Sequence, residues 1–157
     1  MTLSKELKTA AIHSVIMVFL CAFCILGIEI SKRPDAEGLC AELEGLAEYA
    51  GGEYLTEPSA VYAELYSLGA EGLSVYSVAG SAKEFAVCSF EGEAPQEAAE
   101  VYKKRLAELG GEFADNAAEL DRIGDARIIT VNRFAVLVVC NSIDTAENAV
   151  YRYFGLG

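Results

Sequence analysis

Few residues in this chain have the types and spacing that catalysis requires. His13 is the one histidine in the sequence, and Ser81 and Lys83 lie two residues apart in a turn-like stretch. A Ser–Lys pair can act as nucleophile and base, but this spacing is not S-x-x-K and no K-T-G motif follows. Because residues 34–157 contain no histidine, they lack the usual general base and the usual zinc ligand. We predict no catalytic, cofactor or metal site, and a plain turn at Ser81.

The cysteines could support redox chemistry only in one place. Cys21 and Cys24 form a C-x-x-C motif, but they lie in an apolar run where a thiol is hard to ionise. We therefore interpret them as packing residues. Cys40, Cys88 and Cys140 are an odd number, which does not suit a disulfide framework. For Cys88 and Cys140 we predict buried thiols, with a single bridge between them as the alternative.

One acidic stretch offers oxygen ligands for a cation. Asp115, Asn116, Asp121 and Asp125 carry such oxygens, but the ligand alternation of an EF-hand loop is absent. We predict a solvated acidic loop rather than a calcium site.

Tyrosine is the main feature that suggests a binding surface. The chain has eight tyrosines and no tryptophan, and tyrosine favours surfaces that are both apolar and hydrogen-bonding. Tyr62 and Tyr66 are four residues apart on one side of a predicted helix, while Tyr151 and Tyr153 lie near the end of the chain. These four tyrosines form our candidate binding surface, and packing in the core and at its rim is the alternative.

The charge distribution separates the chain into two parts. Residues 34–157 contain 22 acidic and 8 basic side chains, a formal charge of −14, whereas residues 1–33 are weakly basic. Such an acidic body repels nucleic acid and anionic lipid headgroups. The basic run Lys103–Arg105 is predicted to be a solvated helix face. We predict no nucleic-acid partner.

A long apolar segment precedes the acidic part. Ala10 to Ile28 is nineteen residues without a formal charge, close to the roughly 20 residues that span a bilayer. The run is longer than the apolar core of a cleaved signal peptide, and no small-x-small cleavage site follows it. Phe23 before Cys24 and Leu20 before Cys21 do not fit a lipoprotein signal. We predict an uncleaved, unlipidated membrane anchor.

The flanks of the anchor favour one orientation. Lys5 and Lys8 precede the apolar run, and basic residues favour the cytoplasmic side. We predict a single-pass protein of the cell membrane with residues 1–9 as a cytoplasmic tail and residues 10–30 as a transmembrane signal anchor in the lipid bilayer. Residues 31–37 then form a linker, and residues 38–157 form one extracytoplasmic domain.

The remaining sequence alternates between helical and strand patterns. Apolar spacing from Asp35 predicts a helix that ends at Gly51, and β-branched residues around Asn132 and Arg133 predict a two-residue hairpin. The full pattern predicts an α+β domain of order near ααββα(α)ββα. We expect a small, mainly antiparallel sheet of about four strands with helices packed on one face.

Two similar stretches suggest similar helix ends. Leu46–Tyr54 and Leu106–Phe113 both contain a Gly-Gly pair followed by an acidic residue and an aromatic one. We predict that each pair ends a helix through a left-handed glycine, and a sequence duplication is the alternative. The last helix is predicted to start with a capping box of Asp144 and Glu147.

The region from Glu84–Val87 through the helix to Arg105 and the Ile128–Val139 hairpin resembles a known family. It is similar to the bacterial domain-of-unknown-function family four-three-five-eight. That resemblance implies an extracytoplasmic α+β domain, anchored by a membrane helix or a lipid, with no assigned activity. Many members begin with a lipobox, which this chain lacks.

These patterns favour a non-catalytic binding module of the bacterial cell envelope, whose partner is a protein or a glycan. Two alternatives stay open. One is an envelope enzyme that uses carboxylates or the Ser81 and Lys83 pair. The other is a membrane redox or sensor subunit that works through Cys21 and Cys24.

Overall fold

The computed structural model describes residues 34–157, and the predicted anchor at residues 10–30 lies outside them. Within the described part, no helix is long and apolar enough to cross a membrane. The described residues contain five α-helices and two short 3₁₀ turns, at Ala47–Tyr49 and Ala60–Tyr62. The helices are α1 (Ala36–Glu44), α2 (Ala63–Ser67), α3 (Glu97–Glu112), α4 (Ala117–Gly124) and α5 (Ile143–Tyr153).

Five antiparallel strands form a single sheet of order β1-β2-β3-β5-β4. The α+β class and the antiparallel sheet are therefore confirmed, with a two-residue strand added to the four that we predicted. The strands are β1 (Glu53–Tyr54), β2 (Ala70–Ser77), β3 (Glu84–Phe90), β4 (Arg127–Val131) and β5 (Phe134–Val139).

Helices cover both faces of the sheet, so the prediction of one helical face is wrong. Phe85 and Val87 of β3 pack with α1 and α5 on what we call the α1 face. Ala86 and Cys88 of the same strand pack with α2 and α3 on the α2 face. Every residue of β3 and β5 is buried. A strand buried on both faces has a continuous apolar run instead of an alternating one, and we did not use that signal.

The hairpin between β4 and β5 is confirmed. Val131 pairs with Phe134, and Asn132 has a φ of 51°. Asparagine tolerates this left-handed conformation better than most residues do, which suits a two-residue turn.

The first helix starts earlier than the predicted domain boundary at residue 38. The Asp35 side chain accepts a hydrogen bond of 2.6 Å from Gly38 N and caps α1. At the last helix, Ser142 is the N-cap residue and Asp144 lies inside the first turn. The predicted capping box is therefore wrong.

The two Gly-Gly pairs have different conformations, so their shared helix-end interpretation is also wrong. Gly51 has the predicted left-handed conformation, with a φ of 80°, but it follows the 3₁₀ turn Ala47–Tyr49, because α1 already ends at Glu44. Gly110 and Gly111 instead lie inside α3, which continues to Glu112. A Cβ atom at Gly110 would meet no other atom within 4 Å.

This difference predicts opposite effects of the same substitution. Gly110→Ala should raise the free energy of unfolding by about 0.5–1 kcal/mol, because alanine loses less entropy in a helix. Gly51→Ala should lower it by about 1–2 kcal/mol, because alanine is strained at a left-handed position. Chemical unfolding followed by circular dichroism measures both, and equal signs for the two variants would contradict the assignment.

Candidate functional site

An open cleft of about 590 Å³ lies between β2, α2 and the chain that joins β1 to α2. Tyr54 and Tyr66 line it and are 45% and 54% exposed, a high value for large aromatic side chains. The polar side chains in its wall are hydroxyl groups. The described residues that line the cleft include no Asp, Glu, His, Lys, Arg or Cys: Tyr54, Leu55, Thr56, Pro58, Ser59, Ala60, Tyr62, Ala63, Tyr66, Leu73, Ser74 and Val75.

A short polar segment sets the wall of this cleft. Ser59 Oγ accepts a hydrogen bond from Val61 N, which caps the 3₁₀ turn before α2. The same hydroxyl donates to Glu108 of α3. The 3₁₀ turn before α2 is therefore linked to α3 through Ser59.

Tyr62 fixes the orientation of α2 from inside the protein. Its side chain is 1% exposed, and its hydroxyl donates to Glu84 Oε1 at 2.5 Å. Leu65 takes the next buried position on α2, and Tyr66 points outward. The two tyrosines that we predicted to share a side are thus divided between core and surface.

Glu84 is the centre of a buried ion pair. It is 1% exposed at the start of β3. Arg105 donates to both of its oxygens, from Nε at 3.0 Å and from Nη2 at 2.8 Å. Burial opposes the charged form of Arg105, but the hydrogen bonds and charge of Glu84 outweigh it and raise the arginine pKa. The partners of the Glu84 carboxylate, Tyr62 and Arg105, are buried side chains of this domain, which indicates a structural role.

Arg105 is not part of a solvated face, as we had predicted for Lys103–Arg105. Only the two lysines are well exposed, and they pair with Glu100 and Glu64. The missed signal is spacing, because Arg105 falls on the same helical stripe as Ala98, Tyr102 and Leu109. A charged residue on an apolar stripe indicates a buried partner.

A second cleft, of about 490 Å³, lies on the α1 face of the same strand. The acidic residues among its described lining, Glu37 and Glu44, belong to α1. Tyr54 and Ser74 line this cleft as well as the first. The Tyr54 hydroxyl donates to Glu44 at 3.2 Å. Burial raises the pKa of the Cys40 thiol in this wall, so this thiol is poorly suited to act as a nucleophile.

The stretch of β2 between the two clefts has an open edge. Glu53 and Tyr54 pair with only the last two residues of β2, and Leu55 N adds one hydrogen bond of 2.9 Å to Val75 O. Beyond Val75, toward Ala70, no described strand pairs with this edge. Backbone groups alternate in direction along a strand. Leu73 therefore directs its N–H and C=O outward, as Val75 does.

The other pair of predicted surface tyrosines lies on the α1 face. The Tyr153 hydroxyl donates to Asp35 O at 3.1 Å and accepts from Asp35 N at 3.2 Å. Tyr151 packs against the core of that face. The structure does not bring Tyr151 and Tyr153 together with Tyr62 and Tyr66, which contribute to the α2 face.

Ser81 and Lys83 are engaged separately. Ser81 Oγ donates to Glu119 and accepts from Arg122. The Lys83 amine pairs with Glu48 at 3.1 Å. Lys83 contacts Ser81 through its backbone, whose N–H donates to Ser81 Oγ at 3.2 Å.

The remaining candidates have structural roles. Asn116 caps α4 through its side chain, and residues 34–157 contain no cluster of three or more His, Cys, Asp or Glu that could hold a metal ion. Cys88 and Cys140 are free and buried, as predicted, and Cys40 is free and buried as well. Burial raises the pKa of Cys88 to about 12.

Comparison with known proteins adds no relative. No family model, curated protein or solved structure matches this chain. The resemblance to a family of unknown function stays a prediction, and no residue role is taken from it.

The buried pair predicts a large difference between neighbouring basic residues. Arg105→Ala should lower the free energy of unfolding by about 3–5 kcal/mol, because it leaves Glu84 buried without its counter-charge. Lys103→Ala, which breaks an exposed pair, should cost less than about 1 kcal/mol. Urea unfolding measures both variants, and a loss below about 1 kcal/mol for Arg105→Ala would contradict the structural role.

Proposed function

We propose that this chain is a non-catalytic binding module of the bacterial cell envelope. In this proposal, residues 10–30 anchor it in the membrane with the N-terminus in the cytoplasm, and the folded domain lies outside. The observation that carries the binding role is the first cleft, in which Tyr54 and Tyr66 are both exposed. Exposed tyrosines beside an open cleft favour contact with a partner, because tyrosine combines apolar area with a hydrogen-bonding hydroxyl.

The tyrosine on the β1 side is held rigidly, which favours binding. The Tyr54 ring lies edge-on to Tyr76, with ring centres 4.9 Å apart. Tyr76 in turn stacks on Phe85 of β3 at 5.0 Å. A side chain that is ordered before binding loses less entropy when the partner arrives.

The chemistry of the cleft wall also supports binding over catalysis. The described side chains that line it offer hydroxyl groups and apolar area, but no carboxylate, imidazole, amine or thiol. General acid–base catalysis near neutral pH most often uses such groups. The separate engagement of Ser81 and Lys83 gives no support to the enzymatic alternative. The redox alternative concerns Cys21 and Cys24, which lie outside the described residues.

Charge limits the class of partner. Residues 34–157 carry a formal charge of −14, so an envelope protein or a neutral or basic glycan fits better than an anionic lipid surface or nucleic acid.

Crosslinking in intact cells tests the binding role. A photoreactive amino acid at position 66 should capture a specific partner, because this side chain lies in the cleft and is exposed. The same group at Leu120, which is 38% exposed on α4, serves as the control. Capture of the same molecules from both positions, or of nothing from position 66, would contradict the proposal.

Thiol labelling tests the orientation. Glu57 is exposed beside the cleft, whereas the three domain cysteines are buried. In a background with Cys21 and Cys24 replaced by serine, Glu57→Cys should react with a membrane-impermeant maleimide in intact cells. Reaction only after lysis would place the domain in the cytoplasm, provided that unfolded samples label equally.

A further inference from the structure

We infer that the open edge of β2 from Gly72 to Ser74, where its register with β3 is regular, accepts an extended basic segment of a partner protein as a sixth strand of the sheet. This inference rests on the proposed binding function and states which kind of partner the domain takes. Strand addition of this kind gains affinity from main-chain hydrogen bonds and specificity from pockets for alternate side chains.

The backbone of β2 supplies the hydrogen bonds. β2 is eight residues long, but β1 pairs with only two of them. Leu55 N reaches Val75 O, and the chain then turns toward Pro58 and α2. Leu73 is thus the first outward-facing position beyond Val75 that no described strand covers. An added strand that continues the path of β1 would pair there.

The two clefts supply the pockets. Side chains of an added strand alternate between the two faces of the sheet. On the α2 face they meet the first cleft, with Tyr66 and Leu73 in its wall. On the α1 face they meet the second cleft, with Glu37 and Glu44 in its wall. Both clefts reach Ser74, so one strand can fill both.

The chemistry of the two clefts differs, which defines the sequence that fits. The first cleft has no charged side chain, and among the described residues of the second the charged side chains are acidic. The best occupant therefore alternates apolar residues, for the α2 face, with lysine or arginine, for the α1 face.

Charge also selects this edge and this partner. Glu37 and Glu44 make the second cleft beside this edge acidic, whereas the opposite edge of the sheet, β4, starts with Arg127, which pairs with Glu147. In a second copy of this chain, residues 34–157 would bring a formal charge of −14 against another of −14. Such like charge opposes pairing between two β2 edges.

The test uses a designed peptide and the full chain in nonionic detergent. The probe is a fluorescently labelled peptide of alternating lysine and valine, seven residues long. Two peptides serve as controls: one is methylated on every backbone nitrogen, and the other has glutamate in place of lysine. Fluorescence anisotropy should show binding of the probe and at least about tenfold weaker binding of each control, since methylation removes the main-chain donors.

Proline substitutions locate the edge. Leu73→Pro removes an outward N–H that the β2–β3 ladder does not use, so the sheet should tolerate it. It should weaken probe binding at least about tenfold. Thr130→Pro makes the equivalent change at an exposed position of β4 and should leave the affinity unchanged.

A charge reversal gives a second route that does not depend on proline. Glu37→Lys, in the second cleft, should weaken probe binding at least about fivefold by repulsion. Glu97→Lys, an exposed change at the start of α3, is the matched control. Circular dichroism checks that each variant is folded.

Several results would overturn the inference. These are equal binding of the methylated peptide, unchanged binding to Leu73→Pro, or a dimer of the chain that Leu73→Pro disrupts, which would make a second copy the occupant. If the probe fails to bind while the crosslinker at position 66 captures a partner, strand addition is wrong but the binding module stands. If position 66 also captures nothing, the proposed function itself fails.

Discussion

The rest of the structure depends on the burial of β3 and β5 on both faces. These two strands pair with each other at the centre of the sheet, and each of their residues is buried. Side chains alternate between faces along a strand, so both faces must be covered by other elements. This requirement places α1 and α5 on one side and α2, α3 and α4 on the other. Glu84 is buried as well because it starts β3, and its carboxylate pairs with Arg105 inside the protein.

The same constraint shapes the candidate site. Arg105 and Tyr62 both bind Glu84, so α3 and the turn before α2 are fixed to the start of β3. Leu65 takes the buried position on α2, which leaves the next residue, Tyr66, at the surface. On the other face, Tyr54 rests on Tyr76, which stacks on Phe85 of the same strand. Tyr66 and Tyr54 are therefore both positioned through contacts with β3, one on each face of the sheet.

The sequence was informative about elements and less so about their arrangement. The element order and the Asn132 hairpin could be predicted, because both follow from local spacing and local backbone preference. The second helical layer was missed, although the unbroken apolar run of β5 indicated it. The clefts could not be predicted, because they depend on where β1 stops pairing with β2, which is a tertiary property. Arg105 was misplaced because three consecutive basic residues suggest solvent, whereas its position on the α3 stripe determines its burial.

Amide hydrogen exchange of the full chain tests the central claim, that the edge of β2 is open between Gly72 and Ser74. Ser74 and Leu73 are neighbours, but alternation directs the Ser74 N–H into the ladder with β3 and the Leu73 N–H outward. Without any partner, the Leu73 amide should exchange at least about 100-fold faster than the Ser74 amide, since paired core amides open rarely. Equal protection of the two amides in the monomeric chain would show that the edge is already covered, and would contradict this account.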